Sequence, residues 1–125
     1  MQARGSFEVT LTNQPATTDV LGRRSLDKKL TGDLDATSVG EMLAAGTSVP
    51  TSAAYVAIER VTGTLGGKKG TFVLVHTGIM TRATGGSLTV QVLPESGTDE
   101  LAGLTGSMSI EIKDGKHLYV LDYKL

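Results

Sequence analysis

Two residues, Glu59 and His76, could carry out proton transfer if the fold brings their side chains together. A carboxylate that holds one nitrogen of an imidazole ring leaves the other nitrogen free to act as a general base. We therefore treat this pair as the candidate catalytic site. The alternative is a structural ion pair, or a solvated pair on neighbouring strands, with no chemical role.

Three further polar side chains are candidates for binding a ligand. Tyr55 and Tyr119 suit the orientation of a polar ligand group in an apolar cavity, and the alternative is a core tyrosine whose hydroxyl is bonded at the rim. Glu41 joins the site if Val39, Glu41 and Leu43 point inward, and is an exposed glutamate otherwise.

We expect Lys28 and His117 at the surface. Lys28 shares a face with Leu26 and Leu30, which is typical of a lysine whose stem covers apolar neighbours, and the alternative is a buried functional lysine. His117 lies near the Asp114-Gly115 turn. The chain has 2 His and no Cys, which excludes disulfides, Cys-based metal sites and a three-His zinc site. We predict neither a metal nor a cofactor.

The elements that must position these residues are strands. Stretches of alternating apolar and polar residues, rich in Val, Thr, Ile, Leu and Tyr, are separated by breaks that contain glycine. The predicted strands are Gly5–Asn13, Gly22–Gly32, Leu34–Ala45, Ala53–Leu65, Gly70–Arg82, Ser87–Leu93, Ser107–Lys113 and Lys116–Lys124. Ser38–Ala45 would also suit a short helix, although Gly40 favours a strand.

Short connections favour antiparallel neighbours, and a meander of strands removes its exposed edges by closing. We therefore predict an all-β fold, a single eight-stranded antiparallel up-and-down barrel. The length of 125 residues indicates one domain spanning residues 1–125.

The turn at Gly66-Gly67-Lys68-Lys69 decides which residues share a face. Any even loop length puts Glu59 and His76 on the same face, directly opposite for four residues and diagonal for two. We expect this face to line the barrel, with the ligand contacts Tyr55, Phe72, Leu74 and Met80 beside Ala57 and Val61. The reverse face is apolar too, at Val56, Ile58, Val73 and Val75, and we expect a second subunit to cover it.

Asp114-Gly115 predicts a second hairpin with a type I′ turn. That turn sets Ile112 opposite His117 and defines a core face with Met108, Ile110, Ile112, His117, Tyr119, Leu121 and Tyr123.

Charge and hydropathy exclude several classes of partner. The net charge is -1 and the basic residues are scattered, which argues against nucleic acid and against a membrane surface. The first residues lack the apolar core of a signal peptide, and no stretch approaches the roughly 20 apolar residues of a membrane helix. We expect a soluble, cytoplasmic protein.

The segment Glu95–Met108 resembles the bend in allene oxide cyclase and dirigent-type barrels, through Gly97, Thr98, Leu101, Gly103 and Gly106. A bacterial family of unknown function in the same barrel superfamily is similar at Gly32–Leu34, Gly40–Leu43, Tyr55–Gly63, Gly70–Gly78 and Asp114–His117. The resemblance implies an eight-stranded barrel of the allene oxide cyclase type, often in oligomers. In the cyclases the lumen folds a fatty-acid epoxide into a ring, and Phe72 matches an inward aromatic of that lumen.

These observations lead to three hypotheses of function. The first is an isomerase or cyclase that binds a small apolar or amphipathic molecule in the lumen and moves a proton with Glu59 and His76. The second is a non-catalytic carrier that uses the same cavity. The third is a structural homo-oligomer with a filled barrel, because eight strands enclose just enough room for side chains or for one small ligand.

Overall fold

The computed structural model describes residues 1–81 and 86–125, and its strands form one closed barrel in which each pairs with its sequence neighbours. The strands are β1 Gln2–Gln14, β2 Gly22–Gly32, β3 Leu34–Gly46, β4 Ala53–Leu65, β5 Lys68–Met80, β6 Ser87–Val92, β7 Thr105–Lys113 and β8 Lys116–Lys124. All the pairings are antiparallel, including β1 with β8. The prediction of an eight-stranded up-and-down barrel is confirmed. No helix within the described residues is long and apolar enough to cross a membrane.

The strand boundaries follow the predicted ones closely. Strands β2, β4 and β8 have the predicted ends, and Ser38–Ala45 lies in strand β3 rather than in a helix. Strand β5 begins at Lys68 instead of Gly70, because Gly66 and Gly67 alone form the turn. The predicted end of this strand at Arg82 lies outside the described residues.

Both predicted hairpins form with the register that their turns dictate. The two-residue turn of the β4–β5 hairpin pairs Ala57 with His76, so Glu59 and His76 are diagonal neighbours on one face. In the β7–β8 hairpin, Asp114 and Gly115 have φ angles of 53° and 77°. A type I′ turn requires positive φ at both positions, and it sets Ile112 opposite His117 as predicted.

The connections after β2, β4 and β6 meet at one end of the barrel, which we call the sealed end. Apolar side chains fill it, and the segment between β6 and β7 adds two leucines and a 3-10 turn at Asp99–Leu101. The fully buried residues here include Leu34, Leu65, Leu101, Leu104 and Tyr119. Burial of these side chains makes the sealed end the hydrophobic core of the molecule.

The connections after β1, β3 and β7 lie at the opposite end, together with the end of β5 and the start of β6, and we call it the open end. Strand alternation turns Leu11, Met80, Leu88 and Ile112 toward the barrel axis there, yet all of them are exposed. Ile112 was expected in the core, and its position at this end explains its exposure. His117, expected at the surface, is half-buried, because its ring stacks on Phe7 with centroids 4.9 Å apart.

The pairing around the barrel is uneven at β6, which has 6 residues. Strand β6 pairs with β5 over six positions from Leu74–Val92 to Ile79–Ser87. Its pairing with β7 covers only Val90–Met108 and Gln91–Ser107 among the described residues. We call this β6–β7 contact the thin seam.

Candidate functional site

Among the described residues, the buried polar or charged side chains inside the barrel are Lys28, Ser38, Glu59 and His76. We call them the buried cluster. They come from the adjacent strands β2, β3, β4 and β5, one from each. Glu59 is at the centre and is 0% exposed. Charged groups are stable in a protein interior only when they are paired, so the contacts of this carboxylate decide what the cluster can do.

The carboxylate of Glu59 contacts each of the other three side chains. Lys28 Nζ donates to Glu59 Oε2 at 2.8 Å, and Ser38 Oγ donates to Oε1 at 2.8 Å. His76 Nε2 lies 2.5 Å from Oε2. Because Nε2 meets no acceptor at hydrogen-bonding angles within the described residues, this last contact is a close polar contact rather than a well-directed hydrogen bond.

These contacts determine the protonation state of the carboxyl group. Burial by itself raises the pKa of Glu59, but contacts with His76 and Lys28 outweigh it and lower the pKa to about 2. Glu59 is therefore ionised at neutral pH and is a weak base. Its chemistry suits holding His76 in place, and it leaves Nδ1 of His76 as the ring nitrogen not engaged by the carboxylate.

Small residues on β3 allow the cluster to form. Lys28 and Glu59 lie on strands separated by β3, whose inward residues at this level are Ser38, paired with Lys28, and Gly40, paired with Glu59. Because Gly40 has no side chain and Ser38 has a short one, the lysine crosses β3 to reach the carboxylate. Its Nζ also lies 4.5 Å from the ring centroid of Phe7, a cation–π contact.

The expectation that Lys28 is a surface residue is wrong, since its side chain is 2% exposed. Lys28 does lie on the face of Leu26 and Leu30, as predicted. Its charge, however, is paired with Glu59 inside the barrel and does not reach solvent. Ser38 was missed altogether. A sequence signal for the contacts of Lys28 and Ser38 does exist: the two small residues Ser38 and Gly40 on the intervening strand leave room for a long side chain.

Glu41 does not join the buried cluster. It is exposed on the outside of the barrel, where its carboxylate accepts a hydrogen bond from Arg23 Nε at 2.7 Å. Of the two alternatives for Glu41, the exposed glutamate is therefore correct and its role as a ligand contact is wrong, since Val39 and Leu43 are exposed on the same outer side. At the level of the cluster, strand β3 turns Ser38 and Gly40 inward, where the lysine needs space, and Val39 outward.

A cavity of about 500 Å³ lies at the open end. Its walls are mainly apolar and consist of Met42, Ala44, Ala53, Ala54, Tyr55, Gly78, Met80, Gly86, Ser87 and Leu88. The ring of Tyr55 lies against Gly78, where any Cβ would collide with it. Glycine at position 78 therefore allows the tyrosine ring to form one wall of the cavity.

Tyr55 connects the cavity to the buried cluster. Its ring centroid is 6.5 Å from that of His76. Burial and then the negative charge of Glu59 raise the pKa of Tyr55, so the phenol keeps its proton at neutral pH. Its hydroxyl has no hydrogen-bond partner within the described residues and remains available as a donor.

The other predicted ligand contacts are divided between the two ends. Met80 lines the cavity and is 54% exposed, whereas Phe72 and Leu74 point inward as predicted but are packed in the core. The Tyr119 hydroxyl accepts from the Leu34 amide at 3.0 Å and donates toward the Thr31 carbonyl at 2.8 Å. Tyr119 is thus the core tyrosine of the alternative interpretation. Within the described residues, no group of three or more His, Cys, Asp or Glu side chains could hold a metal ion.

The fold and the site define a closed eight-stranded barrel with a buried Lys–Glu–His cluster beside an apolar cavity. The model of the family described as "Protein of unknown function (DUF3224)" matches residues 3–123. This chain belongs to the DUF3224 family.

A solved structure supports the same assignment. The chain is similar to a protein of unknown function from the DUF3224 family of Shewanella oneidensis MR-1, with 45% sequence identity and a TM-score of 0.95. The similarity covers 100% of this chain and 96% of that one. No curated protein matches the chain. The predicted membership in a barrel family of unknown function is confirmed, and the resemblance to allene oxide cyclases stays a prediction.

Proposed function

We propose that the barrel binds a small apolar or amphipathic molecule in the cavity at its open end. The observation that carries the proposal is the contrast between a filled sealed end and an open end where the inward apolar side chains of the described residues form no core. The cavity volume of about 500 Å³ lies within the roughly 300–1,000 Å³ of small-molecule sites. Its walls are mainly apolar, with hydroxyl groups at Tyr55 and Ser87, and suit a molecule with an apolar body and a polar group.

Tyr55 is the polar residue of the cavity wall that lies next to His76. The protonated hydroxyl donates a hydrogen bond to a carbonyl or hydroxyl oxygen of the bound molecule, while Met42, Met80 and Leu88 contact its apolar part. This arrangement buries apolar surface of both partners and orients the molecule through a single directed contact.

Filling the cavity tests this proposal. The Ala44→Phe substitution places a ring in the cavity, and it should weaken binding of the fluorescent probe 1-anilinonaphthalene-8-sulfonate by about tenfold or more. The matched control is Ala45→Phe, the next residue of β3, whose side chain points to the outside of the barrel. Equal probe affinity in Ala44→Phe and the unmodified protein would exclude the cavity as the binding site.

The position of His76 supports a second function, proton transfer of the isomerase or cyclase type. Ionised Glu59 holds Nε2, and the ring lies next to the tyrosine that lines the cavity. In an isomerisation, His76 removes a proton from one carbon of the ligand and returns it at another, so the step needs no co-reactant.

A generic proton-transfer substrate distinguishes the proposed isomerase or cyclase function from the carrier function. 5-Nitrobenzisoxazole opens to a coloured phenolate when a base removes its C–H proton, and we expect the protein to accelerate the reaction above the buffer rate. His76→Gln should abolish the acceleration, while His117→Gln, which changes the other histidine, should retain it. Cavity binding of the anilinonaphthalene probe without any acceleration would favour the carrier function.

A further inference from the structure

The outer surface of β3, β4 and β5 is apolar. We use the name outer face for its outward-pointing residues Val39, Leu43, Val56, Ile58, Val73, Val75 and Ile79. Five of these seven are exposed, and Ile58 is 61% exposed. An apolar patch that extends over three neighbouring strands is often a functional surface.

The opposite side of the same barrel has a different composition. Outward-pointing residues of β1 and β7 are polar or charged, as at Glu8, Thr10, Ser109 and Glu111. Between them, β8 has the outward apolar residues Leu118 and Val120, which are half-buried rather than exposed. The outer face departs from that pattern on three adjacent strands, which indicates a surface that is covered in the functional state.

We infer that the outer face packs against the outer face of a second copy of this chain. The outer face covers at most seven consecutive positions of any one strand, so its apolar centre measures roughly 23 Å by 14 Å, on the order of 300 Å². The β1–β2 connection beside it and the charged border supply the rest of the roughly 800 Å² that each partner buries in a standard interface.

The shape of the outer face also suits self-association. The β1–β2 connection rises beside the strands and forms a groove of about 750 Å³, with Pro15 and Leu21 on one side and Val56 and Ile58 on the floor. Ile79 lies on the same face outside this groove and is exposed. A two-fold contact needs a protruding group and a recess on one surface, and the outer face provides both.

Charge favours the same partner. The net charge of the chain is -1, so two copies repel each other only weakly. Charged groups lie at the border of the outer face, with Arg60 toward the sealed end and the Arg23–Glu41 ion pair toward β2. This gives an apolar centre and a polar rim, as in protein interfaces.

Sedimentation equilibrium of the full chain tests the inference. The unmodified protein should have the mass of a dimer, or of a larger even-numbered assembly. Ile58→Lys and Ile79→Lys should each weaken self-association on the order of 30-fold or more, because each places a charge in the apolar centre. The matched control, Thr10→Lys on the outer side of β1, should associate as the unmodified chain does.

Circular dichroism and thermal melts establish that the variants are folded, which we expect because the substituted side chains are exposed. A monomeric mass of the unmodified chain up to the millimolar range would overturn the inference. An assembly that persists in either Ile58→Lys or Ile79→Lys would also overturn it, because the interface would then lie elsewhere. A monomer that binds phospholipid vesicles would point to a membrane as the partner of the outer face, and would overturn it as well.

Discussion

The two ends of the barrel are built from opposite kinds of contact. At the sealed end, Leu101 and Leu104 close the core, and the hydroxyl of Tyr119 is satisfied by backbone groups. At the open end, Leu88 and Met80 remain exposed, and the hydroxyl of Tyr55 has no partner within the described residues. Among the described residues, apolar side chains and a tyrosine hydroxyl are thus packed and hydrogen-bonded at the sealed end, and exposed or without a bond at the open end.

This difference separates stability from function within one small fold. Apolar burial at the sealed end supplies the free energy of folding, which in turn allows the open end to keep unsatisfied groups for a ligand. The buried cluster lies between the two, held by contacts on four strands but adjacent to the cavity through Tyr55.

The largest effect on stability is expected from loss of the carboxylate at the centre of the buried cluster. Glu59→Ala leaves Lys28 buried without its partner, which should cost about 3–5 kcal/mol. Urea unfolding followed by circular dichroism measures the loss. The control Glu41→Ala removes an exposed carboxylate and should cost about 1 kcal/mol at most. Similar losses in the two variants would contradict the assignment of Glu59 as a buried charge.

A matched pair of leucines compares the two ends directly. Leu104→Ala creates a cavity in the sealed end and should reduce the free energy of unfolding by about 2–5 kcal/mol. Leu88→Ala, at the open end, should cost less than about 1 kcal/mol because the side chain is already 47% exposed. A cost at Leu88 equal to that at Leu104 would show that the open end is packed like a core.

Acid should weaken the buried cluster selectively. The pKa of Glu59 is about 2 in the folded protein and 4.5 ordinarily. Because the folded value is the lower one, the contribution of this carboxylate is fully present above about pH 4.5 and is lost as the pH falls toward 2. Urea midpoints across this range should fall more in the unmodified protein than in Glu59→Gln, which has no carboxyl group to protonate there. Parallel curves would rule out the lowered pKa.

The smallest expected effects on stability come from removing the hydroxyl group of Tyr119 or of Tyr55. Tyr119→Phe leaves the buried Leu34 amide without its acceptor, and it should cost about 1–3 kcal/mol. Tyr55→Phe should change stability by no more than about 0.5 kcal/mol, since no bond within the described residues is lost. Thermal melts in parallel measure both, and an equal loss at Tyr55 would mean that its hydroxyl is already bonded.

Local patterns were sufficient to predict the barrel and half of the buried cluster. The parity of the Gly66-Gly67 turn placed Glu59 and His76 on one inward face, because a hairpin register depends only on residues close in sequence. The type I′ turn at Asp114-Gly115 likewise determined the core face that contains Tyr119.

Contacts between strands distant in sequence could not be predicted in the same way. Lys28 and Glu59 are 31 residues apart, and their contact depends on how closely two strands approach across β3. The sequence left the phase of β3 open for a related reason. The large apolar residues Val39 and Leu43 would suit an inward orientation, but the interior at that level needs room for the lysine side chain.

Because of the thin seam between β6 and β7, neighbouring strands are not held together equally well around the barrel. Elsewhere in the described barrel, hydrogen-bonded ladders hold neighbouring strands over at least six paired positions, as in β1–β8 and β5–β6. At the seam only two pairs have to separate, and one of them, Val90–Met108, is next to His76, which pairs with Val90 on its other side. The wall of the barrel is therefore weakest beside the imidazole ring, so local fluctuations that expose backbone amides to deuterium exchange should start there.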